Sequence, residues 1–186
     1  MFSYRIDDEI RLSLPELYQA DECYKVMLEN FEQLRYWMPW AHDDFSAEDV
    51  KDFYRRNLQQ FAEGNGFNAN ILVNDEIVGQ IGYTRIDWTN KITELGFWLA
   101  EKVQGKGLMT RCCYVFVTHA FEKLGLNRVQ ILCAKENLKS RSIPERLGFR
   151  QEGILHDGEW LHDRFVDLVV YAMLAKDWDR MRKENS

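Results

Sequence analysis

The sequence predicts a mixed α/β (α+β) domain with a mostly antiparallel central sheet flanked by helices. Three observations lead there. Apolar residues recur at three- and four-residue spacing between Leu17 and Phe61, the period of a helix face. From Phe67 to Leu99 the pattern turns to short strand-like runs with polar turns between them. Beyond Gly107, helical and extended segments alternate. With 186 residues, 46% of them apolar and 29% charged, the chain has the length and composition of one compact domain, assigned to residues 1–186.

Glu9 to Leu14 reads as a short strand. Ser13 and Glu16 have capping-box spacing, with Pro15 in the first turn, so a helix is expected next. It carries Leu17, Ala20, Tyr24, Met27 and Phe31 on one face, and Pro39 closes the segment. Tyr36-Trp-Met-Pro-Trp40 then forms an aromatic loop. Ser46 with Asp49 begins a second helix, continued by Val50, Phe53, Leu58 and Phe61 until Gly64. Phe67 to Val73 and Ile77 to Ile86, joined by Asn74-Asp75-Glu76, form a hairpin, and Ile92 to Leu99 extends it into a meander. A glycine-rich turn leads into a helix from about Gly107 to Leu124, stopped at Gly125 and followed by the strand Arg128 to Ala134. That is a βαβ unit. A short helix from Leu138 to Leu147 stops at Gly148, and strands Phe149 to His156 and Phe165 to Leu174 flank the turn signal Asp157-Gly158.

Several function classes are disfavoured. The longest apolar run, Leu168 to Ala175, has eight residues, whereas a membrane-crossing helix needs about 20. The stretch from Met1 to Asp8 meets charge before any export-signal core, so a cytoplasmic protein is expected. Thirty acidic against 24 basic residues give a charge of −6, which argues against nucleic-acid binding through bulk electrostatics. Cys23, Cys112, Cys113 and Cys133 contain no C-x-x-C pair, and His42, His119, His156 and His162 show no H-E-x-x-H spacing. No metal is expected, and His119, inside a helical pattern, reads as a packing residue.

The most informative segment is Leu99-Ala-Glu-Lys-Val-Gln-Gly-Lys-Gly-Leu-Met-Thr110, which joins a strand to a helix with Gly105 and Gly107 at the junction. Glycine there permits tight backbone turns and close ligand approach. The first amides of a helix lack intrahelical partners and carry partial positive charge, so such a turn can hold a pyrophosphate without a metal. The segment is neither G-x-G-x-x-G nor G-x-x-x-x-G-K-[ST], so the dinucleotide and P-loop readings lose their main support. An ordinary strand-to-helix turn needing two glycines would carry the same residues.

A second segment, Asn137-Leu-Lys-Ser140-Arg-Ser-Ile-Pro-Glu-Arg-Leu-Gly148-Phe149, follows one strand later. Together the two resemble the GNAT superfamily of acyl-CoA-dependent N-acetyltransferases. Gln104-Gly-Lys-Gly107-Leu-Met109 matches that family's Gln/Arg-x-x-Gly-x-Gly/Ala motif at its first and fourth positions, and Met109 departs from the small final residue. Q-G-K-G followed by Met-Thr, and N-x-x-S with E-R-L-G-F, look like the branch that acetylates ribosomal-protein N-termini. The resemblance covers roughly residues 8 to 178.

It implies acetyl-CoA as cosubstrate, lying between strands Ile92 to Leu99 and Arg128 to Ala134 where they splay apart. Backbone near Trp98, Leu99 and Ala100 would pair with the pantetheine arm. Amides from Gln104, Gly105, Lys106, Gly107, Leu108, Met109 and Thr110 would hold the pyrophosphate, and Asn137 would bind or orient pantetheine. Glu94 is implied as the base that takes the amine proton; a carboxylate bonded across the sheet is the structural alternative. Many members protonate the departing thiolate with a tyrosine, but that position here is Pro144, so Ser140 takes the role. A hydroxyl satisfying helix amides is its alternative. Trp37, Trp40 and Trp88 are candidates for the acceptor channel or for packing, and Lys102, Lys106 and Arg111 for the CoA phosphates.

The acceptor expected first is a protein N-terminal α-amine, whose reference pKa near ~8 leaves more neutral nucleophile than lysine at about 10.4. Polyamines, antibiotics and other small amines share the chemistry. A noncatalytic acyl-CoA-binding module is the competing class, and a homodimer is compatible with the resemblance.

Overall fold

The computed structural model describes residues 3–184. Met1 and Phe2, which open the stretch weighed above as an export signal, lie outside the described residues. The chain begins with β1 (Ser3–Arg5) and β2 (Ile10–Ser13), a short 3-10 turn at Leu17–Gln19, and helices α1 (Ala20–Glu29), α2 (Phe31–Trp37) and α3 (Ala47–Ala62). Strands β3 (Phe67–Val73), β4 (Glu76–Asp87) and β5 (Ile92–Leu99) follow, then a 3-10 turn at Glu101–Val103 and α4 (Leu108–Glu122). The last part comprises β6 (Arg128–Ala134), α5 (Leu138–Arg146), β7 (Arg150–Leu161), β8 (Arg164–Leu174) and α6 (Ala175–Glu184).

All strands join one sheet in the order β1-β2-β3-β4-β5-β6-β8-β7. Among the described residues only β5 and β6 run parallel; every other neighbouring pair is antiparallel. The mixed, mostly antiparallel sheet agrees with the sequence reading. No helix among the described residues is long and apolar enough to cross a membrane.

Helices cover both faces. On one, Ala20, Cys23, Leu34, Val50 and Tyr54 of α1 to α3 pack on Leu72, Ile77 and Trp98. On the other, Leu108, Cys112, Phe116 and Ala120 recur every four residues along α4 and meet Ile71, Ile81, Leu95, Val129 and Ile131. His119 packs here too: its Nδ1 lies 3.0 Å from the Tyr83 hydroxyl, which itself donates to Phe116 O.

A polar row crosses the first face. Asn70, Gln80 and Trp98 stand directly opposite one another on β3, β4 and β5. Trp98 Nε1 donates to Gln80 Oε1 at 3.1 Å, and Gln80 Nε2 donates to Asn70 Oδ1 at 2.9 Å. The Tyr54 hydroxyl reaches the same Asn70 oxygen at 2.9 Å. Buried polar groups need such partners, and here they lock the Trp98 ring.

Four local expectations are corrected. Ser13 does not cap a helix, because its backbone is committed to strand pairing with Ser3 and Asn70. The first turn is closed instead by Gln19, whose Oε1 accepts from Glu16 N at 3.1 Å. The helix then breaks at Asn30, so Tyr36 and Trp37 belong to α2 rather than to a loop. Asp157-Gly158 is a bulge inside β7, and the hairpin closes later at His162-Asp163. The Asp167 carboxylate anchors that bulge by accepting from Asp157 N at 3.1 Å. β1 and α6, for which no element was expected, complete the ends of the described chain.

The longer β7–β8 hairpin matters for the site. Its tip docks on the end of α2, where carbonyls lack helical partners. His162 Nε2 donates to Arg35 O and Met38 O at 3.1 and 3.2 Å, and Arg164 donates to Tyr36 O at 2.8 Å while stacking over the Tyr36 ring.

Candidate active site

Pairing between β5 and β6 runs through Ile92–Arg128, Thr93–Val129 and Glu94–Gln130 and then stops. Beyond it β5 stays with β4 to Leu99, and β6 stays with β8 to Ala134. A wedge opens between them. Opposite Glu94, β4 carries a register shift between Tyr83 and Ile86. Such bulges bend a strand and increase its twist, here at the level where β5 parts from β6.

The Ala100 amide donates to Val78 O at 2.8 Å. Peptide groups alternate sides along a strand, so Trp98 and Ala100 address β4, while Phe97 and Leu99 address the wedge. Leu99 O accepts from Gln104 Nε2 at 2.9 Å, which leaves Phe97 N–H, Phe97 O and Leu99 N–H turned to the gap.

At the wedge mouth, Gly105 and Gly107 have φ of 75° and 73°, the left-handed region that favours glycine. Gly107 is the N-cap of α4, and no side chain caps that terminus. A Cβ at Gly107 would meet only Arg111 NH1 at 3.8 Å, and one at Gly105 nothing within 4 Å. Backbone conformation, not crowding, therefore demands the glycines, and open space lies against the free amides of Leu108, Met109 and Thr110.

These features border a cavity of about 1000 Å³. β5 contributes Phe97, Trp98 and Leu99; the loop and α4 contribute Gln104, Gly105, Gly107, Leu108, Met109 and Thr110; α5 contributes Asn137, Ser140 and their neighbours. Thus most of the residues singled out from the sequence come together. Met109 also packs into the core under α4, which accounts for a large side chain at the motif's final position. Ala100 and Lys106 lie outside the lining, the former buried with its amide already bonded, the latter exposed.

Asn137 caps α5: its Oδ1 accepts from Ser140 N at 3.1 Å. The Ser140 hydroxyl is therefore not used for capping and instead lies 3.2 Å from Cys133 Sγ. Burial pushes the Cys133 thiol up to about 11, so it stays protonated. Among the described residues no tyrosine lines the cavity.

Glu94 sits at the closed apex, half-buried, and accepts from Gln130 Nε2 at 3.1 Å. It lies outside the cavity lining and makes the cross-sheet contact foreseen as its structural alternative. Sequence reading missed its neighbour Glu159, half-buried on β7 just past the bulge. Burial raises the Glu159 carboxyl above the usual glutamate range, and the Glu94 charge raises it further. No motif marks Glu159; the turn expected at Asp157-Gly158 put it in the wrong surroundings.

Gln33, Leu34 and Trp37 of α2 and its C-cap Met38 form a further wall, of which only Trp37 was foreseen as a candidate. Of the three tryptophans considered, only Trp37 reaches the cavity. Trp40 packs on Phe45, and Trp88 donates to Gly64 O, away from it. Lys102 pairs with Glu76, and Arg111 is held by Asp7 and Glu9, so neither is turned to the cavity.

Residues 10–150 match the family described as the acetyltransferase (GNAT) domain. The chain belongs to the GNAT family. YdaF of Bacillus subtilis (strain 168), which carries the name ribosomal N-acetyltransferase provisionally, is 35% identical over 96% of this chain and 98% of its own. The ribosomal-protein-serine acetyltransferase of Escherichia coli (strain K12) is 30% identical over 91% of this chain and 95% of its own. The microcin C7 self-immunity acetyltransferase MccE, solved with acetyl-CoA and AMP, superposes with a TM-score of 0.85 at 27% identity, covering 91% of this chain and 94% of that one. This GNAT protein is an N-acetyltransferase whose acetyl donor is acetyl-CoA. The wedge, the uncapped helix and the two left-handed glycines fit that donor.

Gly107→Trp would fill the open space and force a bulky residue into the left-handed region. Calorimetry with acetyl-CoA should show affinity reduced at least tenfold, with the fold retained by circular dichroism; unchanged affinity would remove the cradle assignment.

Proposed function

We propose that this GNAT enzyme acetylates the α-amine of a protein N-terminus, that of a ribosomal protein, within a single catalytic domain in the cytoplasm. The observation that carries this reading is the α2 wall. Gln33, Leu34, Trp37 and Met38 offer apolar and neutral polar contact and no carboxylate. A peptide presents a neutral main chain to such a wall, whereas a polyamine brings further cations that need anionic partners. The near full-length match to relatives named for ribosomal proteins supports the same acceptor.

In the proposed reaction both substrates are bound together. The amine lone pair attacks the thioester carbonyl carbon, a C–N bond forms, and the C–S bond breaks. Phe97 N–H, turned to the wedge, stabilises the oxygen as charge develops on it. The amine proton passes to Glu94 or its neighbour Glu159, directly or through water. The leaving thiolate accepts a hydrogen bond from the Ser140 hydroxyl, held beside Cys133, and is protonated through it while the hydroxyl takes a replacement proton from water. Asn137 Nδ2, left over once Oδ1 caps α5, meets pantetheine.

The acceptor class is tested by mass spectrometry of three probes incubated with enzyme and acetyl-CoA. These are a peptide with a free N-terminal serine, the same peptide Nα-blocked but with a free lysine, and spermidine. The first should be acetylated about a hundredfold faster than the others, and acetylation restricted to spermidine rejects the N-terminal reading.

The carboxylate pair has its own signature. Because the Glu94 charge raises the proton affinity of Glu159, removing that charge lowers it. Glu94→Gln should shift the acidic limb of the kcat/KM pH profile to lower pH. Glu159→Gln should abolish the limb and reduce kcat/KM about a hundredfold. A limb that stays in place in Glu94→Gln contradicts the pairing.

A further inference from the structure

The cavity has a cationic side on α5. Lys139, Ser142 and Arg146 lie three and four residues apart on one face of α5, and all line the cavity. Arg146 NH1 donates to Thr110 Oγ1 at 3.1 Å, and its NH2 donates to Ser142 Oγ at 2.7 Å. Lys139 Nζ donates to Gln104 Oε1 at 3.3 Å. Both cations therefore reach across from α5 to the loop and first turn of α4, and there they rest on neutral oxygens.

Charge makes this arrangement informative. The charged residues lining the cavity are Glu101, Glu136, Lys139 and Arg146, two of each sign. Without the two cations, a polyanionic cosubstrate would enter a site lined by two carboxylates on a protein of formal charge −6. The cations foreseen for this task are elsewhere: Lys102 pairs with Glu76, Arg111 with Asp7 and Glu9, and Lys106 lies outside the lining.

We propose that Lys139 and Arg146 form a clamp on the diphosphate of the acyl donor, closing on it from α5 while the amides of Leu108 to Thr110 hold it from α4. The neutral partners Thr110 and Gln104 mark where the anion sits. Exchanging a hydroxyl or amide oxygen for a phosphate oxygen turns these contacts into charge-assisted hydrogen bonds, which are stronger. Arg146 suits the task because its planar fork can keep one arm on Ser142 while the other engages the anion. The inference rests on acetyl-CoA as donor and is independent of the acceptor.

The test measures binding of acetyl-CoA, acetyl-dephospho-CoA and S-acetyl-pantetheine to the wild type, Lys139→Gln, Arg146→Gln and the double variant. Glutamine keeps a polar side chain and removes the charge. Each single change should weaken acetyl-CoA and acetyl-dephospho-CoA alike, by about tenfold, and leave S-acetyl-pantetheine unchanged. Raising salt from about 50 to about 500 mM should weaken acetyl-CoA binding more in the wild type than in the double variant. Arg146→Lys should recover part of the loss. Unchanged affinity overturns the clamp, as does an equal loss for S-acetyl-pantetheine, which would mark general damage to the cavity. A loss confined to acetyl-CoA overturns the diphosphate assignment in favour of the 3′-phosphate. Wild-type protein that binds none of the three would instead refute the acetyl-CoA site itself.

Discussion

One interruption in the sheet governs the rest of the molecule. The parallel contact between β5 and β6 lasts for three residue pairs and ends at Glu94, opposite an extra residue in β4. Had the two strands stayed zipped, Phe97 and Leu99 would spend their peptide groups on β6, and no gap would exist for a thioester. The separation is held from both sides by antiparallel neighbours, β4 for one strand and β8 for the other. Neither strand loses its ladder, so the opening does not require an unpaired edge on its outer flanks.

Everything else converges on that gap. The α4 terminus stands at its mouth because the two left-handed glycines turn the chain sharply there. Its floor is stiffened by Trp98, whose indole is bonded through Gln80 and Asn70 to Tyr54 of α3. Its α2 wall is set by a contact between distant parts of the chain, where His162 and Arg164 bond the last carbonyls of α2. Asn30 adds a second tie, because its Oδ1 accepts from Glu101 N at 2.8 Å and joins the α1–α2 corner to the cofactor loop. The same physical need, satisfying carbonyls and amides at element ends, thus builds the walls of the site.

The glycine loop at the cavity mouth is legible in the sequence, and most of the α2 wall is not, for a physical reason. The loop from Gln104 to Thr110 is a local object: glycine positions, a strand before and a helix after are enough to place free amides. The same holds for the Ser46–Asp49 box of α3. Glu159 and the α2 wall gain their meaning only from a hairpin tip docking on a helix end many residues away. Lys139 and Arg146 look like ordinary surface cations until α5 is laid beside α4. The misplacement of the β7–β8 turn has a similar origin, since the carboxylate of Asp167, on the facing strand, absorbs Asp157-Gly158 as a bulge.

A crystal structure of the protein with acetyl-CoA tests the wedge most directly. The diphosphate should lie on the amides of Leu108 to Thr110, the thioester oxygen beside Phe97 N–H, and the sulfur next to Ser140. A cosubstrate bound elsewhere, or strands β5 and β6 joined beyond Glu94 with no room between them, would contradict this arrangement.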